Sequence, residues 1–312
     1  MKIGLLLYPD CIPSGLLAFS ELLIAANMRM GTATFEFSWL SEHGGTASCR
    51  NGLELSTEKL GSEPIDGLLV PGAWRDQSSV VQDSDRTLVQ AMSNLDRRVF
   101  LMSYCTGVHL VAQTGRLDHH PATTTWWLLD SVRHRFPDVQ WKMNNTLVRN
   151  TQNATASGVN GYLPIALALI ARLGGENVAE DIRKYMVLPR PVQHNTPFQQ
   201  LPQLLQQGPW IRDIFMWVEK TPATQLRTTE LARHLNMTPR TLGRQMSAIT
   251  GYKSAELMRL IKLNQVSDQL IGTNKTIDAI SDDLGFSDNT SLRRSFSKLT
   301  GFTPGEYRRQ FG

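Results

Sequence analysis

Ile277-Asp-Ala-Ile-Ser-Asp-Asp-Leu-Gly-Phe-Ser-Asp-Asn-Thr-Ser-Leu-Arg-Arg-Ser-Phe-Ser-Lys-Leu-Thr-Gly-Phe-Thr-Pro-Gly-Glu-Tyr307 decides the reading of this chain. Ile277, Ile280 and Leu284 recur at helical spacing, and Gly285 breaks that helix. Leu292, Phe296 and Leu299 form a second apolar stripe after a polar Ser-Asp-Asn-Thr start whose side chains suit a helix cap. The pattern predicts two short helices joined by a tight turn. The second carries Arg293 and Arg294 on its surface, as a helix entering the DNA major groove does.

An upstream copy repeats the punctuation. Leu231 to Leu235, the Asn236-Met237 turn, Leu242, Met246 and Thr250-Gly251-Tyr252 align with Ile280 to Leu284, Gly285-Phe286, Leu292, Phe296 and Thr300-Gly301-Phe302. The offset is 49 before the second helix and 50 from it onward, so the later copy has one extra residue in its turn. One helix pair alone is a weak signal, because small helix pairs are common in ordinary cores. Two in tandem, each with basic residues on the outer face of its second helix, point to double-stranded DNA. Expected DNA-facing residues are Arg240, Thr241 and Arg244 in the first copy and Asn289, Thr290, Arg293 and Arg294 in the second. Between the copies, Leu257, Leu260, Ile261, Leu263, Val266 and Leu270 predict a rigid helical spacer, so that one chain spans successive major-groove segments about 10 base pairs apart.

Charge follows the same division. The 312 residues carry a net charge of +4. From Pro209 onward there are 15 Lys and Arg against 10 Asp and Glu, a balance of +5, which leaves 17 against 18, or −1, for residues 1 to 208. The excess lies where phosphate neutralisation would use it. Cys11, Cys49 and Cys105 are odd in number and lack metal-ligand spacing, which argues against a disulfide framework or zinc site and fits a reducing cytoplasm. No run approaches the roughly 20 apolar residues of a membrane helix, and the N-terminal apolar run is too short for a signal peptide. The Asn-X-Thr sequons at Asn144 and Asn153 are then coincidental.

The first part alternates strand and helix. Strands are expected over Lys2 to Tyr8, around Phe35 to Trp39, over Asp66 to Gly72 and over Arg98 to Ser103. Helices are expected over Gly15 to Met28, Val80 to Leu95, Thr106 to Thr114, Val159 to Leu173 and Val178 to Met186, with a hairpin near Asn144-Asn145. This predicts a parallel sheet covered on both faces, a flavodoxin-like α/β sandwich of residues 1–188. A proline- and glutamine-rich linker, 189–208, leads to an all-α tandem helix-turn-helix domain, 209–312, that opens with a helix over Trp210 to Glu219. Phe198 to Gln206 has the makings of a further short helix.

Ser103-Tyr-Cys-Thr-Gly107 joins a buried strand to a helix, with small residues two positions either side of Cys105. That is the form of a nucleophile elbow. A thiol at a helix start can have a lowered pKa, and the Gly72-Ala73 backbone offers N–H donors to an anionic oxygen. A cysteine at a strand end is more often a small buried residue. His109, one turn on, is the available base, although a histidine there is more often structural; His119 and His120 read as surface loop.

Two resemblances cover nearly the whole chain. Ile277, Ile280, Leu284-Gly285-Phe286, Leu292, Phe296, Gly301, Thr303-Pro304 and Tyr307-Arg308 resemble the AraC/XylS transcription regulators over residues 210 to 311. Residues 1 to about 188 resemble the PfpI/ThiJ branch of the class I glutamine amidotransferase-like fold, through Tyr8-Pro9, Glu21 to Asn27, Val70-Pro71-Gly72, Cys105-Thr106-Gly107, Ala122-Thr123-Thr124 to Trp126 and Ser157-Gly158. The combination resembles the GlxA family of regulators. It implies a cytoplasmic bacterial transcription activator acting on a promoter or operator as a homodimer, with RNA polymerase and a small-molecule effector as further partners and no cofactor or metal.

The departures from that pattern bear on chemistry. Gly15 stands where the family carries an acidic residue, and Thr125 where it carries histidine. Cysteine catalysis needs such a partner, so the expectation is a domain that binds without turnover. A cysteine-dependent amidase or hydrolase using Cys105 is the alternative, and a redox sensor at Cys105 is a third. Expected ligand-binding residues are Glu21, Gly72, Ala73, Cys105, Thr106, Thr125 and Trp126. Amino acids and quaternary amines are the effectors the resemblance implies, with Trp74, Trp126 and Trp127 as aromatic faces for a cation.

Overall fold

In the computed structural model, residues 1–49, 51–74, 86–142, 145–189 and 197–312 are described, and they divide into two compact units, Met1–Asn195 and Thr196–Gly312. The first holds an eight-stranded sheet made of β1 (Lys2–Leu6), β2 (Glu36–Ser41), β3 (Gly45–Ser48), β4 (Glu54–Lys59), β5 (Gly67–Val70), β6 (Phe100–Tyr104), β9 (Leu147–Arg149) and β10 (Asn153–Ala156). The strand order is β3-β4-β2-β1-β5-β6-β10-β9. The six from β4 to β10 run parallel, and β3 and β9 close the edges antiparallel. β1, β5 and β6 are short apolar runs because both of their faces are covered. Of the helices, α1 (Pro13–Met30), α5 (Tyr162–Gly174) and α6 (Glu176–Tyr185) pack together, as do α2 (Arg86–Ser93) and α3 (Gly107–Gln113). The chain leaves β1 toward β2 on one side and returns in β5 on the other. Right-handed crossovers then put α1 and α2 on opposite faces and make the β1/β5 boundary the topological switch point.

Two differences from the sequence reading appear here. β3 and β4 carry the polar sequences GTAS and ELSTEK on an exposed edge, where no apolar alternation announces them. The hairpin lies later than Asn144-Asn145: β9 and β10 pair around the 150–152 turn, whereas β8 (Gln140–Trp141) pairs in parallel with β7 (Pro121–Ala122). Asn144 lies outside the described residues, as do residues 80–85 of the expected Val80 to Leu95 helix. The remaining short helix, α4 (Leu129–Arg135), follows Trp126–Leu128.

In the second unit, three helical pieces at Pro197–Gln200, Leu201–Leu204 and Leu205–Gln207 lie where the short helix over Phe198 to Gln206 is expected, and Phe198, Leu201 and Leu204 bury in this unit's core. α7 (Pro209–Lys220) buries Ile211, Ile214, Phe215 and Val218, one stripe at helical spacing. The first helix pair is α8 (Thr228–His234) and α9 (Pro239–Thr250); the second is α11 (Ile277–Asp283) and α12 (Asn289–Thr300). Between them α10 (Ser254–Gly272) is buried nearly all round, and Leu242 and Met246 share one core with it, Leu292 and Phe296. α13 (Pro304–Phe311) closes the unit through a Thr303–Glu306 capping box and a Ser267–Tyr307 hydroxyl bond of 3.0 Å.

Candidate functional site

The two helix pairs repeat at the level of single hydrogen bonds. In the first turn Asn236 N donates to Arg233 O and Met237 N to Ala232 O; in the second Gly285 N donates to Asp282 O and Phe286 N to Ser281 O, all between 2.8 and 3.1 Å. Asn236 and Gly285 both have left-handed backbone, φ 53° and 68°. Thr250 and Thr300 bond back to Met246 O and Phe296 O, and each then accepts from the N–H two residues on. The second helices begin alike: Thr238 Oγ1 accepts from Thr241 N at 3.2 Å and Asp288 Oδ1 from Ser291 N at 2.6 Å. The Ser291 N–H, Ser287 hydroxyl and neighbouring Arg294 charge hold the Asp288 carboxyl below the usual carboxylate range.

Arg240, Thr241 and Arg244 are exposed on α9, as are Thr290, Arg293 and Arg294 on α12, while Asn289 is half-buried. Among the described residues Arg240, Arg244 and Arg294 make no hydrogen bond or ion pair. Asn289 bonds Asp278, and Arg293 Nε donates to Asn289 Oδ1 at 2.8 Å, so these two side chains are held in position by the first helix of their own pair. Ala223 N and Thr224 N donate to Leu284 O and Gly285 O, both at 2.9 Å, fastening the segment ahead of α8 to the second turn.

In the sheet unit the elbow is present: Cys105 has φ 56°, an uncommon conformation for a side-chain-bearing residue, and lies beside the switch point. A Cβ on Gly72 would come within 2.8 Å of Cys105 Cβ and 3.1 Å of its Sγ, so only glycine fits there. Thr106 Oγ1 accepts from Ala73 N at 2.8 Å and donates to Ala73 O at 3.2 Å. Thr124 Oγ1 donates to Cys105 O at 2.8 Å, which brings Thr125 and Trp126 to the same edge. Gly72, Ala73, Cys105 and Thr106 thus meet, whereas Glu21 is exposed on α1. Trp74 is 64% exposed, Trp126 is half-buried, and Trp127 packs with Leu128 and Val132.

The chemistry expected of an elbow is altered. The Ala73 N–H already serves Thr106, so it is not available to an oxyanion. Burial pushes the Cys105 thiol up, against a smaller pull from the Thr106 N–H and hydroxyl. His109 is a packed histidine, 1% exposed, edge-on to Phe136 and 3.1 Å from the Gln113 amide. Cys11 and Cys49 meet as buried thiols, Sγ to Sγ 3.7 Å, and burial raises Cys11 to about 12. The position of the missing acid is filled: a Cβ on Gly15 would lie 2.3 Å from Tyr104 Oη. That phenol is fully buried with no hydrogen-bond partner among the described residues, as is Thr125 Oγ1.

Known proteins resolve the assignment. A helix-turn-helix domain family matches residues 231–310. The chain is 25% identical over 311 residues to the HTH-type transcriptional regulator CdhR of Pseudomonas aeruginosa, covering 97% of this chain and 90% of that one. It is 27% identical over 207 residues to the HTH-type transcriptional regulator ArgR of the same organism, spanning 65% of this chain and 62% of that regulator, less than two thirds of its length. An AraC family transcriptional regulator from Pseudomonas putida matches with a TM-score of 0.50 at 21% identity, over 59% of this chain and 98% of its own. Residues 231–310 are thus a helix-turn-helix domain, and the chain as a whole is similar to HTH-type transcriptional regulators. A THiJ/PfpI family protein from Pseudomonas syringae matches with a TM-score of 0.50 at 18% identity, over 82% of this chain and 89% of its own. That likeness gives the regulator's sheet unit its fold and no more. Among its described residues no helix is long and apolar enough to cross a membrane.

Tyr104 and Tyr162, edge-on to each other at 6.2 Å and both crowding the Gly15 space, and Cys11, β-bridged to Ala73, escape a sequence reading of the elbow. Gly15 stands out as a departure, but nothing in its own neighbourhood points to Tyr104, 89 positions away.

Proposed function

We propose that this regulator is a cytoplasmic activator whose helical unit reads promoter DNA with Arg240, Thr241, Arg244, Asn289, Thr290, Arg293 and Arg294, under control of a small metabolite held at the elbow. The carrying observation is the bond-for-bond repetition of the two helix pairs on one continuous core, which presents two second helices with exposed arginines. With α10 as spacer and the 223–224 segment fastened to the second turn, the pairs enter successive major-groove segments about 10 base pairs apart. Active regulators act as homodimers that engage RNA polymerase.

The elbow residues Gly72, Ala73, Cys105, Thr106, Thr125 and Trp126 bind the effector without transforming it. A buried neutral thiol, a Tyr104 phenol in place of an acid and a committed Ala73 N–H support binding over turnover. The effector acts through unequal affinity for two states of the protein.

Footprinting and anisotropy titrations on promoter fragments test the reading. Arg244→Ala and Arg294→Ala should each weaken specific binding, by about 1–3 kcal/mol where the arginine reads a base. Unchanged affinity in both variants, or a footprint confined to one groove segment, refutes the DNA arrangement. Turnover of amides or peptides that vanishes in Cys105→Ser refutes the binding-only elbow and supports the hydrolase alternative.

A further inference from the structure

The elbow is not the sheet unit's only recess. A cavity of about 400 Å³ opens at the opposite end of β6, where Phe100 and Met102 from β6, Ala154 from β10, and Ile165 and Leu169 from α5 make an apolar floor. These residues share one side for simple reasons. Phe100 and Met102 alternate along β6, Ala154 stands in register with Met102, and Ile165, Ala168, Leu169 and Arg172 form a helical stripe along α5. From Phe100 to Cys105 the strand rises roughly 16 Å at ~3.3 Å per residue, so this recess and the elbow lie at opposite edges of the sheet.

Its rim is cationic. Arg149 ends β9 and Arg172 lies in the last turn of α5; both are exposed, and the guanidinium of Arg172 lies 5.7 Å from the Phe100 ring centre. Among the described residues neither arginine has a carboxylate partner, and no aspartate or glutamate lines the cavity. Asn150 stands beside them. Its Oδ1 accepts from Gln152 N at 2.7 Å and Asn153 N at 2.8 Å, which fixes the 150–153 turn and leaves Nδ2 with no acceptor among the described residues. An apolar floor of this size under two unneutralised guanidinium groups has the composition of a small-molecule site, with few polar groups to set orientation. Arginine is the side chain suited to a carboxylate.

We infer that the sheet unit carries a second binding site, distinct from the elbow, for a carboxylate borne on an aliphatic or aryl body. The carboxylate meets Arg149 and Arg172, and the apolar body lies on the floor between β6, β10 and α5. The inference does not rest on DNA binding or on the elbow's role.

Calorimetry on the full-length chain tests it with octanoate as probe, and with octanamide, octylamine and acetate as counterparts lacking the charge, reversing it, or lacking the apolar body. The expected result is saturable octanoate binding at one per chain and at least tenfold weaker binding of the other three. Arg149→Gln and Arg172→Gln, both surface changes that leave the core intact, should each weaken octanoate tenfold or more. Ala168→Trp should block binding with both arginines present. Absence of saturable octanoate binding overturns the proposal, as does octanamide or acetate binding as tightly as octanoate. So does octanoate binding that survives both arginine changes, including the case in which it is lost in Cys105→Ser and so belongs to the elbow.

Discussion

Tyr104→Phe should make the sheet unit more stable, although it removes a polar group from a packed site. The phenol oxygen is fully buried and has no hydrogen-bond partner among the described residues. A buried donor left unpaired costs about 1–3 kcal/mol, and that cost disappears with the oxygen. Against it stands the void left behind: about 10 Å³ at ~24 cal/mol per Å³ costs only about 0.2 kcal/mol. The net expectation is a gain of about 1 kcal/mol or more, a rise of roughly 0.3–1 M in the urea midpoint at unchanged slope. Gly15→Ala should do the reverse, since its Cβ would stand 2.3 Å from that oxygen and 2.9 Å from Cζ; overpacking of this kind costs about 1–3 kcal/mol. Once Tyr104→Phe has removed the oxygen, the closest of these contacts is gone, so the double change should cost less than the sum, with a coupling of at least ~0.5 kcal/mol. Urea-dependent hydrogen exchange read peptide by peptide separates the transitions of the two units in the intact chain, and the helical unit serves as internal control. A loss of more than about 1 kcal/mol in Tyr104→Phe would mean that the oxygen has a partner, and would refute the reasoning.

Three further outcomes are expected. Gly285→Ala should lower the melting temperature of the helical unit and weaken promoter binding, because φ is 68° and the new Cβ would lie 2.5 Å from Pro222 Cβ, whereas Asn236→Gly at the equivalent position should be neutral or mildly stabilising. Burial lowers Lys262 to about 8, so between that value and the ordinary 10.5 the unfolded chain binds the extra proton; the helical unit should gain stability as pH rises through this window, and Lys262→Met should remove that increment from the melting curves. Asp288 is held below the usual carboxylate range, so its capping contribution is present above that range and lost as pH falls through the folded value. Amide exchange at the start of α12 should accelerate in acid while α9, capped by Thr238, does not, and Asp288→Asn should flatten the difference.

What the sequence discloses depends on how local each cause is. The helix pairs are legible because cap, turn and apolar stripe lie within one short stretch and recur, so Asn236 and Gly285 can be matched without coordinates. The central strands are legible because burial on both faces forces continuous apolar runs such as Gly67–Val70. β3 and β4 are not, since an exposed edge places no demand on hydrophobicity. The short helix over Phe198 to Gln206 can be suspected, but the burial of Phe198, Leu201 and Leu204 among prolines and glutamines shows only once a core is there to receive them. At the elbow, the residues around Cys105 follow from spacing, but the loss of the Ala73 donor and the occupation of the Gly15 space by Tyr104 are contacts between distant segments. Glu21 rests on resemblance alone and lies exposed.

The unequal offsets of the two helix pairs have a practical consequence. The extra residue, Ser287, precedes the cap, so Thr238–Gly251 and Asp288–Gly301 are equal in length from N-cap to left-handed C-cap. They are natural exchange cassettes. A chimaera joined on the turn side of the cap would import or delete a residue and misplace the arginines around the helix axis, whereas one joined at the cap keeps each helix in phase with its own side chains. If both helices read DNA as proposed, operator specificity of the two halves should be open to swapping, duplication or rewriting by moving these segments whole, with the turn, the spacer helix and the shared core left as they are.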